Sequence, residues 1–155
     1  MFTITYDDSK AQIALKNLDI NMEMTAEPLA DSAEYMEQQA RANFGASGRV
    51  MSEGWQKLAD STIKRKALRW PSAPMMVRTG KLKNAFRTLG PRVSKKEGIV
   101  EVDNPLRYAE LHQQNGFDLV RMPRRVLLKI MKAHAVEIRK IFDMWIERVV
   151  NISFR

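Results

Sequence analysis

The longest regular pattern of apolar positions lies in the last third of the chain. After Pro123, apolar side chains recur at helical spacing to about residue 150, and charged side chains fill the opposite face. The pattern predicts an amphipathic helix over about 124–150, which Pro123 opens because proline fits the first turn of a helix. The apolar stripe consists of Leu127, Leu128, Met131, Ala135, Ile138, Ile141, Phe142, Trp145, Ile146 and Val149.

A second long helix is predicted in the N-terminal half. Its apolar residues recur at spacings of four, three, four and four, and they are Leu29, Ala33, Met36, Ala40 and Phe44. Thr25 is a suitable N-cap, because a hydroxyl can accept a hydrogen bond from a free N–H of the first turn. Gly45 stands where a left-handed residue often ends a helix.

Shorter alternating segments predict strands. Residues 2–6 alternate in this way, and residues 98–103 place Val100 and Val102 on one face. Residues 85–90 and 98–103 are close enough in sequence to form an antiparallel hairpin. After the first of these strands, Asp7 or Asp8 can cap a short helix that carries Ile13, Leu15 and Leu18.

The middle of the chain alternates loops with one short helix. Residues 45–54 hold three glycines and two serines and predict a loop, and the prolines at 71 and 74 predict a break. Between them, Asp60 or Ser61 can cap a short basic helix that runs through Ala67.

Three short segments lie further along the chain. Thr79-Gly80 predicts a turn in which Gly80 adopts a positive φ angle. Residues 108–112 are too few for periodicity to choose between a helical turn and a strand. Asn115-Gly116 predicts another turn.

Together the elements predict an α+β fold, a small antiparallel sheet flanked by the two long helices. The length of 155 residues favours one domain over 1–155.

Composition narrows the class of protein. The chain has no cysteine, which excludes disulfides, thiolate catalysis and the usual structural zinc sites. No apolar run approaches the roughly 20 residues that a membrane helix needs, and the first residues lack the pattern of a secretory signal. We therefore expect no membrane association and folding in the cytoplasm where the chain is made.

The net charge of +8 is unevenly distributed. Residues 1–44 hold eight acids against three bases, whereas residues 61–96 hold eleven bases and no acid. This polarity suits contact with nucleic acid, or copies that dock acidic face to basic face. A solvated basic surface without a partner is an equally good reading of the charges alone.

Residues for catalysis or metal binding are few. His134 falls within the apolar stripe, so a core or interface role is favoured over a ligand role. His112 lies near Glu110, and this proximity is the only reason to consider a hydrolase. No residues near them in sequence complete a metal-binding set. We expect no enzymatic activity, no cofactor and no metal.

Several short phrases occur in a particular order along the chain. They are Trp55, Leu58, Thr62 and Lys66; then Arg78, Thr79, Gly80 and Leu82; then Tyr108, Ala109, His112 and Gln113; and finally Pro123. In this order the phrases resemble the phage virion morphogenesis family, the Mu-like tail completion or neck proteins. The chain departs from the family in a shorter segment after His112-Gln113 and in Arg124-Arg125-Val126 at the start of the last helix.

The resemblance implies a structural virion protein with an α+β fold, located in the neck between capsid and tail. It implies assembly in the host cytoplasm as a homo-oligomeric ring, hexameric or dodecameric. The implied neighbours are head-closure or connector proteins on one side and tail terminator or tail tube proteins on the other. The family phrases are expected to have structural roles.

The charge pattern then suggests two candidate surfaces. The basic one is a subunit interface or faces packaged DNA, and it comprises Lys64, Arg65, Lys66, Arg69, Arg78, Lys81, Lys83 and Arg87. The acidic partner face comprises Glu27, Asp31, Glu34 and Glu37. The alternative function is a small DNA-associated protein that binds phosphates without sequence preference through residues 61–96.

Overall fold

A computed structural model describes residues 24–94, 97–114 and 123–153. In these ranges the chain forms α1 (Ala26–Gly45), α2 (Asp60–Arg69), α3 (Lys81–Asn84), β1 (Arg87–Val93), β2 (Gly98–Asp103), α4 (Arg107–Gln113) and α5 (Lys132–Ser153). The predicted α+β class is confirmed. The strand expected at 2–6, the short helix expected after Asp7 or Asp8 and the turn at 115–116 lie outside the described residues.

Helix α1 has the predicted apolar face, and it contacts both strands, α3 and α5. Ala33, Met36, Ala40 and Phe44 are all buried on that face. Thr25 occupies the N-cap position as predicted, but its side chain makes no capping hydrogen bond.

The predicted left-handed end at Gly45 is wrong, because Gly45 is the last helical residue. The positive φ angles come later, at Ser47 (52°) and Gly48 (90°). The Gly48 N–H donates to Asn43 O at 2.8 Å, so the chain turns back under the helix end. A Cβ atom at Gly48 would overlap the Trp55 ring, which requires glycine at this position.

Strands β1 and β2 form the predicted antiparallel hairpin. Strand β1 continues past its predicted end, through Gly90 and Pro91 to Val93. The register shifts between Leu89 and Arg92, which is an irregularity that accommodates a proline without a ladder N–H. Val102 packs against the core from β2, as the alternation predicts.

The core centres on the end of α1. Phe44 is fully buried and meets two other rings edge-on, Trp55 at 5.3 Å and Phe86 at 6.2 Å between ring centroids. Such edge-to-face packing is the favoured arrangement of aromatic pairs. The remaining buried members of this cluster are Met36, Ala40, Met51, Leu82, Ala109 and Leu127.

The last helix begins at Lys132, so the start predicted at Pro123 and Arg124 is wrong. The residues before it are irregular because the side chain of Gln113 takes their backbone hydrogen bonds. Gln113 Oε1 accepts from the N–H groups of Leu127 (2.7 Å) and Leu128 (3.1 Å), and Gln113 Nε2 donates to Leu128 O at 2.6 Å. A side-chain amide thus replaces the helical partners that the local pattern suggested.

The buried side-chain amide of Asn43 also holds the irregular segment before α5. Val126 O accepts hydrogen bonds from Asn43 Nδ2 at 3.0 Å and from Trp55 Nε1 at 2.9 Å. Asn43 Oδ1 also accepts from the N–H groups of Val50 and Met51, at 3.2 and 3.1 Å. Asn43 therefore joins three parts of the chain that are far apart in sequence.

His134 has the core role that the sequence favours, and it also starts α5. The Met131 N–H donates to His134 Nδ1 at 3.1 Å. This bond resembles the reciprocal half of a capping box, in which the third helical residue accepts from the N-cap N–H. The imidazole is buried and meets Tyr35 of α1 edge-on at 6.1 Å.

The apolar stripe of α5 is only partly covered. Trp145 of the stripe is buried but Ile146 is exposed, and Val136 and Met144, which lie outside the stripe, are exposed as well. Part of the apolar surface of α5 therefore remains exposed to solvent.

Candidate interaction site

Helix α2 carries four of the predicted bases and stands apart from the core. None of its ten residues is buried. Leu68 has 86% of its surface exposed, and Ile63 is also exposed. The helix starts one residue before the predicted caps, after Ala59, and no side chain caps it.

The segment that follows α2 holds the helix in place by polar contacts. The Lys66 ammonium donates to Pro74 O, and partial burial lowers the pKa of Lys66. The Arg78 guanidinium lies 4.4 Å from the centroid of the Trp70 ring, a cation–π contact. The helix ends before the predicted proline break, and the chain after it returns alongside the helix.

A groove of about 620 Å³ lies between α2 and this returning segment. Its apolar lining includes Leu58 and Val77, and Arg65, Arg69 and Arg78 are among its cationic residues. The structure therefore brings part of the predicted basic set together.

The other predicted bases are distributed differently. Lys64 belongs to α2, whereas Lys81 and Lys83 belong to the short helix α3. Arg87 is at the start of β1 and forms an ion pair with Asp103 at 3.1 Å. Within the described residues, Lys64, Arg65 and Arg69 of α2 form no ion pair, and neither do Lys81 and Lys83 of α3.

The predicted acidic residues all lie on α1, but two of them have cationic partners. Glu27 pairs with Arg148 of α5 at 2.5 Å, and Glu37 pairs with Arg41 at 2.5 Å. Asp31 and Glu34 are exposed. The α1 face therefore offers less free negative charge than the sequence suggests.

A second acidic surface, which the sequence reasoning missed, lies where α5 passes Tyr35 of α1. Here a groove of about 340 Å³ is lined by Tyr35, Glu137, Lys140, Ile141, Asp143, Met144 and Glu147. Burial raises the pKa of Tyr35, and the nearby Glu137 carboxylate raises it further. The sequence contains one indication of this surface, because Met144 lies between two acids, Asp143 and Glu147.

Six of the family-phrase residues converge on one cavity of about 390 Å³. These are Arg78, Thr79, Gly80, Leu82, Tyr108 and His112. Gly80 has φ 79°, which confirms the predicted positive angle. The open reading of residues 108–112 is settled as helical, since they belong to α4.

His112 is half-buried beside this cavity. Burial lowers its pKa, and the neighbouring Arg125 lowers it further by charge repulsion. Arg125 is itself buried, which lowers its pKa too. Glu110, the other member of the hydrolase hypothesis, accepts a hydrogen bond from Gln114 at 2.8 Å.

The remaining phrase residues have structural positions. Trp55 and Ala109 are buried in the core, Gln113 holds residues 127–128, and Pro123 lies in the irregular segment before α5. The role of Asn43 was missed, although a polar residue at an apolar-stripe position of α1 was a signal for it.

Two searches of the described ranges gave negative results. No group of three or more histidine or acidic side chains there is placed to hold a metal ion. None of the helices in those ranges combines the length and apolar character that a membrane span requires.

Comparison with known proteins gives one match. The sequence model of the phage virion morphogenesis family matches residues 6–147. No curated protein and no solved structure matches the chain.

Proposed function

The chain belongs to the phage virion morphogenesis family, and we propose that it is a structural subunit of the neck that joins the tail to the DNA-filled capsid. Membership of the family gives it a role in building the phage particle. The proposal adds the position, the head–tail junction, and the form, a ring of identical subunits. Its neighbours there would be head-closure or connector proteins and tail terminator or tail tube proteins.

The observation that carries the proposal is the exposed helix α2. It presents Leu68 and Ile63 to solvent among four bases, and it adds no buried residue to the core. Contiguous apolar surface that is exposed on a subunit marks a site of association, and the groove beside α2 adds Leu58 and Val77 to this surface. A building block of a larger particle requires such a site.

The charges support assembly of like subunits. Helix α2 is basic, while α1 and α5 carry exposed acids on other surfaces. In a ring each subunit offers one surface to a different surface of its neighbour, so a basic and an acidic surface on one chain are complementary.

Native mass spectrometry of the purified chain, together with proteomics of phage particles, tests the proposal. We expect a multi-subunit species of one defined copy number, and we expect the chain in intact particles. A monomer at high concentration together with absence from particles would contradict the proposal.

The exposed cations of α2 favour one second candidate, a DNA-associated protein. Lys64, Arg65 and Arg69 are exposed, and no acid occurs between residues 61 and 96. Binding of this kind weakens steeply as salt rises, because each neutralised phosphate releases counterions. The measurement is the salt dependence of duplex DNA affinity in the wild type and in a triple alanine variant at these positions.

A matched control is Arg87→Ala, which removes a cation already paired with Asp103. The DNA candidate predicts a shallower salt dependence for the triple variant and little change for the control. An affinity that does not depend on salt would exclude it.

A further inference from the structure

Leu68 is the most exposed of the large apolar side chains in the described ranges. It lies near the end of α2, and Lys64 and Arg65 precede it by four and three residues. Residues at these spacings are neighbours on a helix surface. Leu68 is therefore an apolar projection flanked by two cations.

The groove beside α5 has the opposite character. Tyr35, Ile141 and Met144 give it apolar surface, and Met144 is 59% exposed. Its volume of about 340 Å³ is many times the roughly 30 Å³ of one water molecule. The groove is thus large enough to receive an aliphatic side chain.

The charges around this groove are mainly negative. Glu137, Asp143 and Glu147 line it, against the single base Lys140. Lys140 is bound to Glu137 at 2.7 Å and Arg139 to the exposed Asp143 at 3.7 Å, whereas Glu147 has no ion pair within the described residues. Negative charge is therefore left over at the edge of an apolar groove.

We propose that Leu68 of one subunit inserts into the α5 groove of a neighbouring copy, where Lys64 and Arg65 meet the acids at the edge of the groove. Projection and groove are different surfaces of the same chain, so the contact is heterologous and is of the kind that closes rings. This inference rests on the proposed function, since it names the contact that holds the ring together.

A second copy fits these features better than DNA does. Phosphates would satisfy Lys64 and Arg65 but would leave Leu68 exposed, and the acids around the groove would repel them. A second copy supplies the apolar groove and the opposite charge together.

The absence of cysteine allows a direct test by site-specific disulfide formation. Leu68→Cys and Met144→Cys are made in two separate chains with different tags, so a mixed disulfide forms only between subunits. The two chains are mixed, oxidised and separated without reductant. We expect the mixed disulfide to be the main cross-linked product.

The matched control pairs Leu68→Cys with Ile146→Cys. Ile146 is on the same helix and is 42% exposed, but it lies roughly 160° around the helix from Met144. We expect at least a tenfold lower yield for this pair. Equal yields from the two pairs would overturn the inference, because they would indicate random collision.

A charge-exchange experiment gives an independent readout. Replacing Lys64 and Arg65 with Glu should weaken self-association about tenfold, and adding Asp143→Lys with Glu147→Lys should restore it. An oligomer that gives no 68–144 disulfide and no rescue would overturn this contact while leaving the proposed ring intact. A chain that stays monomeric and is absent from particles would overturn both.

Discussion

Helices α1 and α2 make opposite use of their apolar residues. Helix α1 buries seven residues and contacts both strands, α3 and α5, whereas α2 buries none. Both helices are amphipathic in sequence, but only α1 buries apolar side chains in the core. The apolar residues of α2 therefore contribute little to the core and lie exposed to solvent.

The largest expected contrast is between Phe44 and Leu68. Phe44→Ala should lower the free energy of unfolding by about 3–5 kcal/mol, because it leaves a cavity beside Trp55 and Phe86. Leu68→Ala should change it by less than about 0.5 kcal/mol, because the side chain is exposed. Urea denaturation measures both, and similar losses would remove the distinction between the two helices.

Gln113 extends the comparison to the hydrogen bonds that hold the core together. Gln113→Ala removes the partner of three backbone groups of residues 127 and 128 and should cost about 2–3 kcal/mol. The control is Gln114→Ala, which removes an exposed side-chain amide that donates to Glu110 and should cost less than about 0.5 kcal/mol. Chemical denaturation of both variants checks this, and equal costs would refute the role given to Gln113.

Substitution of two glycines, Gly80 and Gly45, tests the backbone conformation at a turn and at the end of helix α1. Gly80→Ala should lower stability by about 1 kcal/mol, because φ at this position is 79°. Gly45→Ala should raise stability by up to about 1 kcal/mol, since Gly45 is helical and has open space around its Cα. The melting temperatures of the two variants should therefore move in opposite directions, and a shift of both in the same direction would be inconsistent with these backbone assignments.

The smallest expected effect is a dependence of stability on pH. Because the folded state lowers the pKa of His112, the unfolded chain binds the proton more readily, and stability falls as pH drops below about 6.5. His112→Asn should show a smaller fall in melting temperature between pH 7.5 and 5.5 than the wild type. Identical pH profiles would disprove a role for His112.

Much of the fold was predictable from local pattern. The apolar stripe of α1 and the alternation at Val100 and Val102 identify their elements, because each reflects burial against a neighbour on one side. The start of α5 was not predictable in this way. Apolar residues continue at helical spacing through 127–131, but the distant Gln113 side chain takes the backbone partners of that segment.

The candidate site was predictable only in part. The sequence identifies the bases of α2 as a group, since they lie close together in the chain. It does not show that Glu27 and Glu37 are paired with arginines, nor that Tyr35 lies beside the acids of α5. These facts depend on how separate helices pack, which a linear pattern does not contain.

The most direct test of the central claim, that α2 serves assembly and not folding, is the native mass of the Leu68→Asp variant beside that of the wild type. The account predicts a multi-subunit wild type and a monomeric variant whose circular dichroism spectrum is still that of the folded chain. Equal multi-subunit masses for the two proteins, or a variant that unfolds, would contradict it.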